Sequence, residues 1–180
     1  MQIYQNILVR VDREDLEPDG SFVVPDDVKE IECSAFMFCN KDLKNITMPE
    51  GVESIEAFTF YGCENLNQVQ LPKTIKHIGD LAFFDCFNLT SMEIQDGANI
   101  LGKGLFTSCV NLETVIIPNS VKSIGSEMFY GCENLKQLAI PKRFEELIDE
   151  ILSDYFRDRQ KPDIVYLQEP QLKAKQVGDE

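Results

Sequence analysis

Six cysteines and one histidine are the residues of this 180-residue chain best suited to chemistry. Thiolates bind zinc, exchange disulfides or act as nucleophiles, and all three uses depend on spacing and surroundings. Zinc sites need cysteine pairs two to four residues apart. The closest pair here, Cys33 and Cys39, has five residues between. The remaining members, Cys39, Cys63, Cys86, Cys109 and Cys132, recur at spacings of 24, 23, 23 and 23. Residues one period apart stack in register and point the same way, so they form a ladder and not a converging ligand set. The reading is five buried, reduced thiols packing as small hydrophobes, with disulfides and metal as the lesser alternatives. Cys33 stands outside the ladder and is the candidate for a thiol-redox or enzymatic role. His77 shares a column with Glu30, Ser54, Ile100 and Ser123 and reads as a surface residue. Gly102-Lys103-Gly104 lacks the third glycine and the strand-helix setting of a dinucleotide site. No catalytic residue, metal site or cofactor is expected.

The elements that position these residues follow from the same period. Phe36, Phe60, Phe83, Phe106 and Phe129 keep the beat three residues before each cysteine, and Leu43, Leu66, Leu89, Leu112 and Leu135 follow it. Further apolar columns run Val28, Val52, Ile75, Ala98, Val121; Ile31, Ile55, Ile78, Leu101, Ile124; Ile46, Val69, Met92, Val115, Leu138; and Met48, Leu71, Ile94, Ile117, Ile140. Self-similarity at a fixed period in the low twenties is the mark of a solenoid. The run from leucine to proline alternates and predicts a strand in each unit, stacked on its neighbours as a parallel sheet. Pro25, Pro49, Pro72, Pro118 and Pro141 mark where strands stop, with Gln95 the one exception. The run from Val121 to Ile124 predicts a second, brief extended segment. The segment around each phenylalanine, such as Ser126 to Tyr130, predicts a single helical or 3₁₀ turn.

The runs Ile117-Pro118-Asn119-Ser120-Val121-Lys122-Ser123-Ile124-Gly125 and Met128-Phe129-Tyr130-Gly131-Cys132-Glu133-Asn134-Leu135 carry a resemblance. The pattern resembles the BspA-like, or Treponema-type, leucine-rich repeat family, from about Phe22 to Pro141. The resemblance implies an α/β leucine-rich repeat solenoid: a right-handed superhelix of about five 23-residue repeats, with a parallel sheet on one face and a C-terminal capping helix. It also implies a bacterial source and contact with host surfaces. The asparagine column Asn65, Asn88, Asn111, Asn134 is read as structural, satisfying backbone groups at a buried turn.

A formal charge of -14 disfavours a nucleic acid or an anionic membrane surface as partner. No apolar run is long enough to span a bilayer. Met1 to Asn6 lacks the basic and apolar regions of a Sec signal, so a cytoplasmic location is expected. Secretion or delivery to a host remains the alternative if the chain is trimmed or uses another route.

The ends need caps, because a repeat stack exposes apolar surface there. Residues 1–24 are read as N-terminal cap strands, Ile7 to Val11 among them, and 25–141 as the repeats. Residues 142–167 are read as a cap of helix plus strand. Phe144, Leu147, Ile148, Ile151, Leu152, Tyr155 and Phe156 trace one apolar helical stripe, and Ile164 to Leu167 a final strand. Residues 168–180 are read as a disordered tail.

Two surfaces are candidates for a partner. The outward strand columns offer Asn45, Gln68, Ser91, Thr114 and Gln137, with Gln70, Glu93 and Ile116 beside them. Phe58, Leu81, Phe84, Phe87 and Val110 form an apolar set in columns that elsewhere hold Gly104, Glu127, Glu64 or Glu133. The functional expectation is a non-catalytic protein-interaction module. The alternatives are a host-directed effector or adhesin-like binder, a glycan as ligand, and a thiol-redox enzyme.

Overall fold

The computed structural model describes residues 1–152 and 160–168. Its strands, numbered along the chain, fall into two rows. One row holds β1 (Gln2–Tyr4), β2 (Ile7–Arg10), β4 (Glu30–Ile31), β6 (Ser54–Ile55), β8 (His77–Ile78), β10 (Ile100–Leu101) and β12 (Ser123–Ile124) in one unbroken sheet. The other holds β3 (Ser21–Val23), β5 (Asn45–Thr47), β7 (Gln68–Gln70), β9 (Ser91–Glu93), β11 (Thr114–Ile116), β13 (Gln137–Pro141) and β14 (Asp163–Leu167). All pairings are parallel except β1 with β2. The solenoid is therefore present, with strands paired in the expected register: Ser54 faces His77, His77 faces Ile100, and Ile100 faces Ser123.

The longer strands make the interrupted row and the two-residue strands the continuous one. β3, β5 and β7 form one sheet and β9, β11, β13 and β14 another, with no ladder bonds from β7 to β9. In the continuous row the ladder runs one residue past each short strand. The N–H groups of Gly79, Gly102 and Gly125 donate to Ile55, Ile78 and Leu101 carbonyls one coil back, each at 2.8 Å. Glycine permits this approach: a Cβ on Gly102 would stand 2.4 Å from the Asp80 nitrogen. Gly102→Ala is accordingly expected to destabilise by about 1–3 kcal/mol through overpacking. That outweighs the roughly 0.4–1 kcal/mol normally gained by restricting the unfolded chain. Urea unfolding of the variant at an unchanged midpoint would show that the coils separate freely.

One contiguous apolar core fills the coil interiors. The phenylalanine column is fully buried and stacked, with centroids 5.0 Å apart for Phe36–Phe60, 5.1 Å for Phe60–Phe83 and 5.8 Å for Phe83–Phe106 and Phe106–Phe129. Phe22 closes the near end edge-on to Phe36 at 5.5 Å. The five ladder cysteines are buried, and the thiols of Cys86, Cys109 and Cys132 donate to the carbonyls of Phe60, Phe83 and Phe106 in the coil before. The thiol column thus ties successive coils together as well as filling space.

The segments around the phenylalanines depart from expectation. They are successions of turns, neither α-helical nor 3₁₀. Each opens on a residue of positive φ: Ser34 at 58°, Phe58 at 59°, Leu81 at 54°, Gly104 at 60° and Glu127 at 59°. A left-handed residue cannot continue a right-handed helix, so the chain turns the corner in discrete bends. The asparagine column also differs: its side chains are exposed, and Asn65, Asn111 and Asn134 donate to the carbonyls of Lys41, Phe87 and Val110 across the coil boundary.

At the N-terminus, β2 and β3 take places in the two rows and make an irregular first coil, in which Asp12 and Asp15 cap a 3₁₀ turn over Arg13–Asp15. The hairpin strand β1 was not anticipated. Its signal was Gln5-Asn6, both at positive φ (49° and 66°), the geometry of a two-residue hairpin turn. At the C-terminus a 3₁₀ helix, Lys142–Leu147, precedes α1 (Ile148–Leu152). The apolar stripe buries Phe144, Ile151 and Leu152, but its first turns are 3₁₀ and not α. β13 runs into Pro141 with no linker and no side-chain cap, and Arg143 is drawn back onto the carbonyls of Asn119 and Val121. Tyr155, Phe156 and residues 169–180 lie outside the described residues. None of the described helices is long and apolar enough to cross a membrane.

Candidate partner-binding surface

The outer corner of each coil is built from two columns. The first is the positive-φ residue: Ser34, Phe58, Leu81, Gly104, Glu127. The second follows three residues later: Met37, Tyr61, Phe84, Thr107, Tyr130. Phe58, at positive φ, and Tyr61, in the second column, are 39% and 43% exposed despite being aromatic. Tyr61 stacks on Phe84 at 4.9 Å with ring planes 3° apart, and Phe58 lies 6.0 Å from Tyr61. A second aromatic stack thus runs along the outside of the solenoid, parallel to the buried one. Met37 and Phe38 extend it towards the N-terminus, both about half exposed, and Arg10 covers the Phe38 ring at 3.9 Å.

In the next coil both columns hold small residues, Gly104 and Thr107. Their smallness leaves a groove of about 900 Å³ between Leu81 and Phe84 on one side and Glu127 and Tyr130 on the other. The end of the solenoid reaches it too, since Asp149 and Glu150 of α1 complete the lining. The Glu127 N–H donates to the Glu150 carbonyl at 3.4 Å and holds α1 against the corner. The rim carries Asp80, Glu127, Asp149, Glu150 and Lys103. Lys103 pairs with Glu127 at 3.2 Å, its backbone N–H donates to Asp80, and Lys161 pairs with Asp149.

The expected apolar set therefore divides. Phe58, Leu81 and Phe84 meet at the groove, whereas Phe87 and Val110 lie half-buried in a separate column and do not line it. Tyr130 and Thr107 complete the groove; the column shared by Tyr61, Phe84 and Tyr130 was the signal for the first, and nothing in the sequence marks Thr107 beyond its being small among aromatics. The polar strand columns take their places in register, Asn45 beside Gln68, Ser91 beside Thr114 and Gln137, and Glu93 beside Ile116. The gap between β7 and β9 separates Asn45, Gln68 and Gln70 from Ser91, Glu93, Thr114, Ile116 and Gln137.

Residues 29–158 match the family described as BspA type leucine rich repeat region, in 6 copies. The chain belongs to the BspA-type leucine-rich repeat family. Its fold is similar to that of a T. pallidum leucine-rich repeat protein (TM-score 0.71, 26% identity, 86% of this chain and 78% of that one). It is similar also to a leucine-rich repeat protein from Bacteroides ovatus (0.63, 27%, 82% of this chain) and a leucine rich cell surface protein from Faecalibacterium prausnitzii (0.70, 26%, 82%). This BspA-type chain spans 42% and 38% of those two proteins. No curated protein matches it in sequence.

Cys33 is exposed. His77 is half-buried, 4.0 Å from a Glu56 oxygen. Among the described residues no three of His, Cys, Asp and Glu are grouped to hold a metal ion.

Proposed function

We propose that this BspA-type chain is a non-catalytic protein-interaction module that engages its partner through the outer corner, from Met37 to Tyr130. The observation that supports it is the choice of residues at the strained positions. The left-handed conformation is cheap for glycine or asparagine and costs roughly 1–2 kcal/mol for other residues. Phe58 and Leu81 accept that cost; Phe58 is 39% exposed and the half-buried Leu81 lines the groove. Neither stability nor solubility explains such residues there. Strain retained where it exposes a side chain is the pattern of a functional surface.

The test is site-specific photo-crosslinking in the source organism, with a benzophenone amino acid in place of Tyr61 or, on the strand face, Gln70. A protein trapped from position 61, and lost with Phe58→Asn, supports the outer corner, provided Phe58→Asn unfolds at an equal or higher temperature. Trapping from position 70 alone moves the interface to the strands. No trapping from either, together with substrate turnover by the purified chain, overturns the module reading. Trapping of a protein outside intact cells would support an adhesin-like role, which the similarity to the F. prausnitzii cell surface protein favours; trapping confined to the cell interior removes it.

A further inference from the structure

We propose that the groove over Gly104 and Thr107 receives an apolar side chain from a positively charged segment of a partner protein. This rests on the interaction reading above and specifies its chemistry. The floor is formed by Gly104 and Thr107, and the walls by Leu81, Phe84 and Tyr130, so the interior accepts an aliphatic or aromatic group. The volume of about 900 Å³ exceeds one side chain and suits a short stretch of chain.

The rim selects the flanking residues. Among the described residues the mouth carries the carboxylates of Asp80, Glu127, Asp149 and Glu150 against the ammonium groups of Lys103 and Lys161, which pair with Glu127 and Asp149, an excess of two negative charges. The whole chain adds to this field with a net charge of -14. Lysine or arginine beside an apolar anchor would be steered in and held at the rim, while an acidic segment would be repelled. A second copy of this chain is disfavoured for the same reason, and phosphate-bearing ligands are too.

The repeat itself supplies the test. Every other coil from the second onward carries an aromatic residue in the Thr107 column, namely Tyr61, Phe84 and Tyr130. Thr107→Tyr therefore restores the pattern of its neighbours, fills the groove and leaves the fold intact. Amide NMR spectra would be recorded while titrating three synthetic peptides: Lys-Lys-Phe-Leu-Lys-Lys, Glu-Glu-Phe-Leu-Glu-Glu and Lys-Lys-Ser-Ser-Lys-Lys. The expected result is saturable shifts of Gly104, Thr107 and Tyr130 with the first peptide only, at a Kd near or below about 1 mM. Thr107→Tyr should weaken this at least about tenfold, as should raising salt from about 0.05 to 0.5 M. A Glu127→Gln, Glu150→Gln pair should weaken it with the groove still open. Equal binding of the acidic peptide, no shift at these amides, or shifts unchanged in Thr107→Tyr would overturn the proposal. So would concentration-dependent shifts there without peptide, which would mark a second copy as occupant. Peptide shifts confined to Met37, Phe38 and Tyr61, which do not line the groove, would leave the interaction module standing and remove the groove as its site.

Discussion

Phe83→Ala is expected to lower the unfolding free energy by about 3–5 kcal/mol. Phe83 is fully buried in the middle of the ring column, 5.1 Å from Phe60 and 5.8 Å from Phe106. Its removal leaves a cavity shared by two coil boundaries, and each of the lost ring contacts adds to the loss of apolar burial. The coils above and below cannot close the space, because the parallel ladders fix their separation. Domains of this size are stable by about 5–15 kcal/mol in all, so one ring carries a large share. In a repeat stack each coil touches only its neighbours. A central defect is therefore expected to weaken cooperativity as well as stability. Urea unfolding followed by circular dichroism should show both a lower midpoint and a shallower transition, as one half melts before the other. Phe83→Leu should recover much of the loss. A cost under about 1 kcal/mol for Phe83→Ala would mean that the column is not continuous.

The ring column was legible in the sequence because burial and period act on the same residues. A side chain that must stack on its copy one coil away is constrained in type, and the constraint repeats. The corner conformation was not legible in the same way. Ser34, Phe58, Leu81, Gly104 and Glu127 share one backbone geometry yet share no residue type. The positive φ is imposed by the turn that follows the strand, and none of these side chains belongs to the buried core that selects the repeating columns. The groove at Gly104 and Thr107 was hidden for a related reason: it is made by what two residues lack, and it needs α1 to close one side. Residues of α1 lie some forty positions further on and outside the repeat, so no column could bring them there. The split of the longer-stranded row at β7 and β9 is likewise absent from the apolar pattern, since Val69 and Met92 continue their column without a break.

The ladder cysteines make the fold sensitive to alkali. Burial, reinforced by Asp42, pushes the Cys39 thiol up to about 12, and burial raises those of Cys63, Cys86 and Cys132 well above the ordinary thiol range. In the unfolded chain each would ionise near pH 8.5. The folded state therefore binds more protons than the unfolded state above that pH, and stability falls as pH rises. The contribution of these thiols is intact below pH ~8.5. At pH ~9.5 each group has cost about 1.4 kcal/mol, so the four together remove about 5–6 kcal/mol. That is comparable with the whole stability of many domains of this size. The urea midpoint should thus drop steeply from pH ~8 to pH ~9.5, before most tyrosines and lysines titrate, and Cys86→Ala should flatten the drop by about a quarter. Thiol stoichiometry provides an independent check at pH ~8. Of the six cysteines only Cys33 is exposed, so Ellman's reagent should find one fast thiol in the native protein and six in denaturant. Thiolate is the reactive form, and the shift of Cys39 alone cuts its thiolate fraction by about a thousandfold. Two or more fast thiols under native conditions, or a urea midpoint independent of pH up to ~9.5, would show that the ladder is open to solvent and that its cysteines do not hold the coils in register.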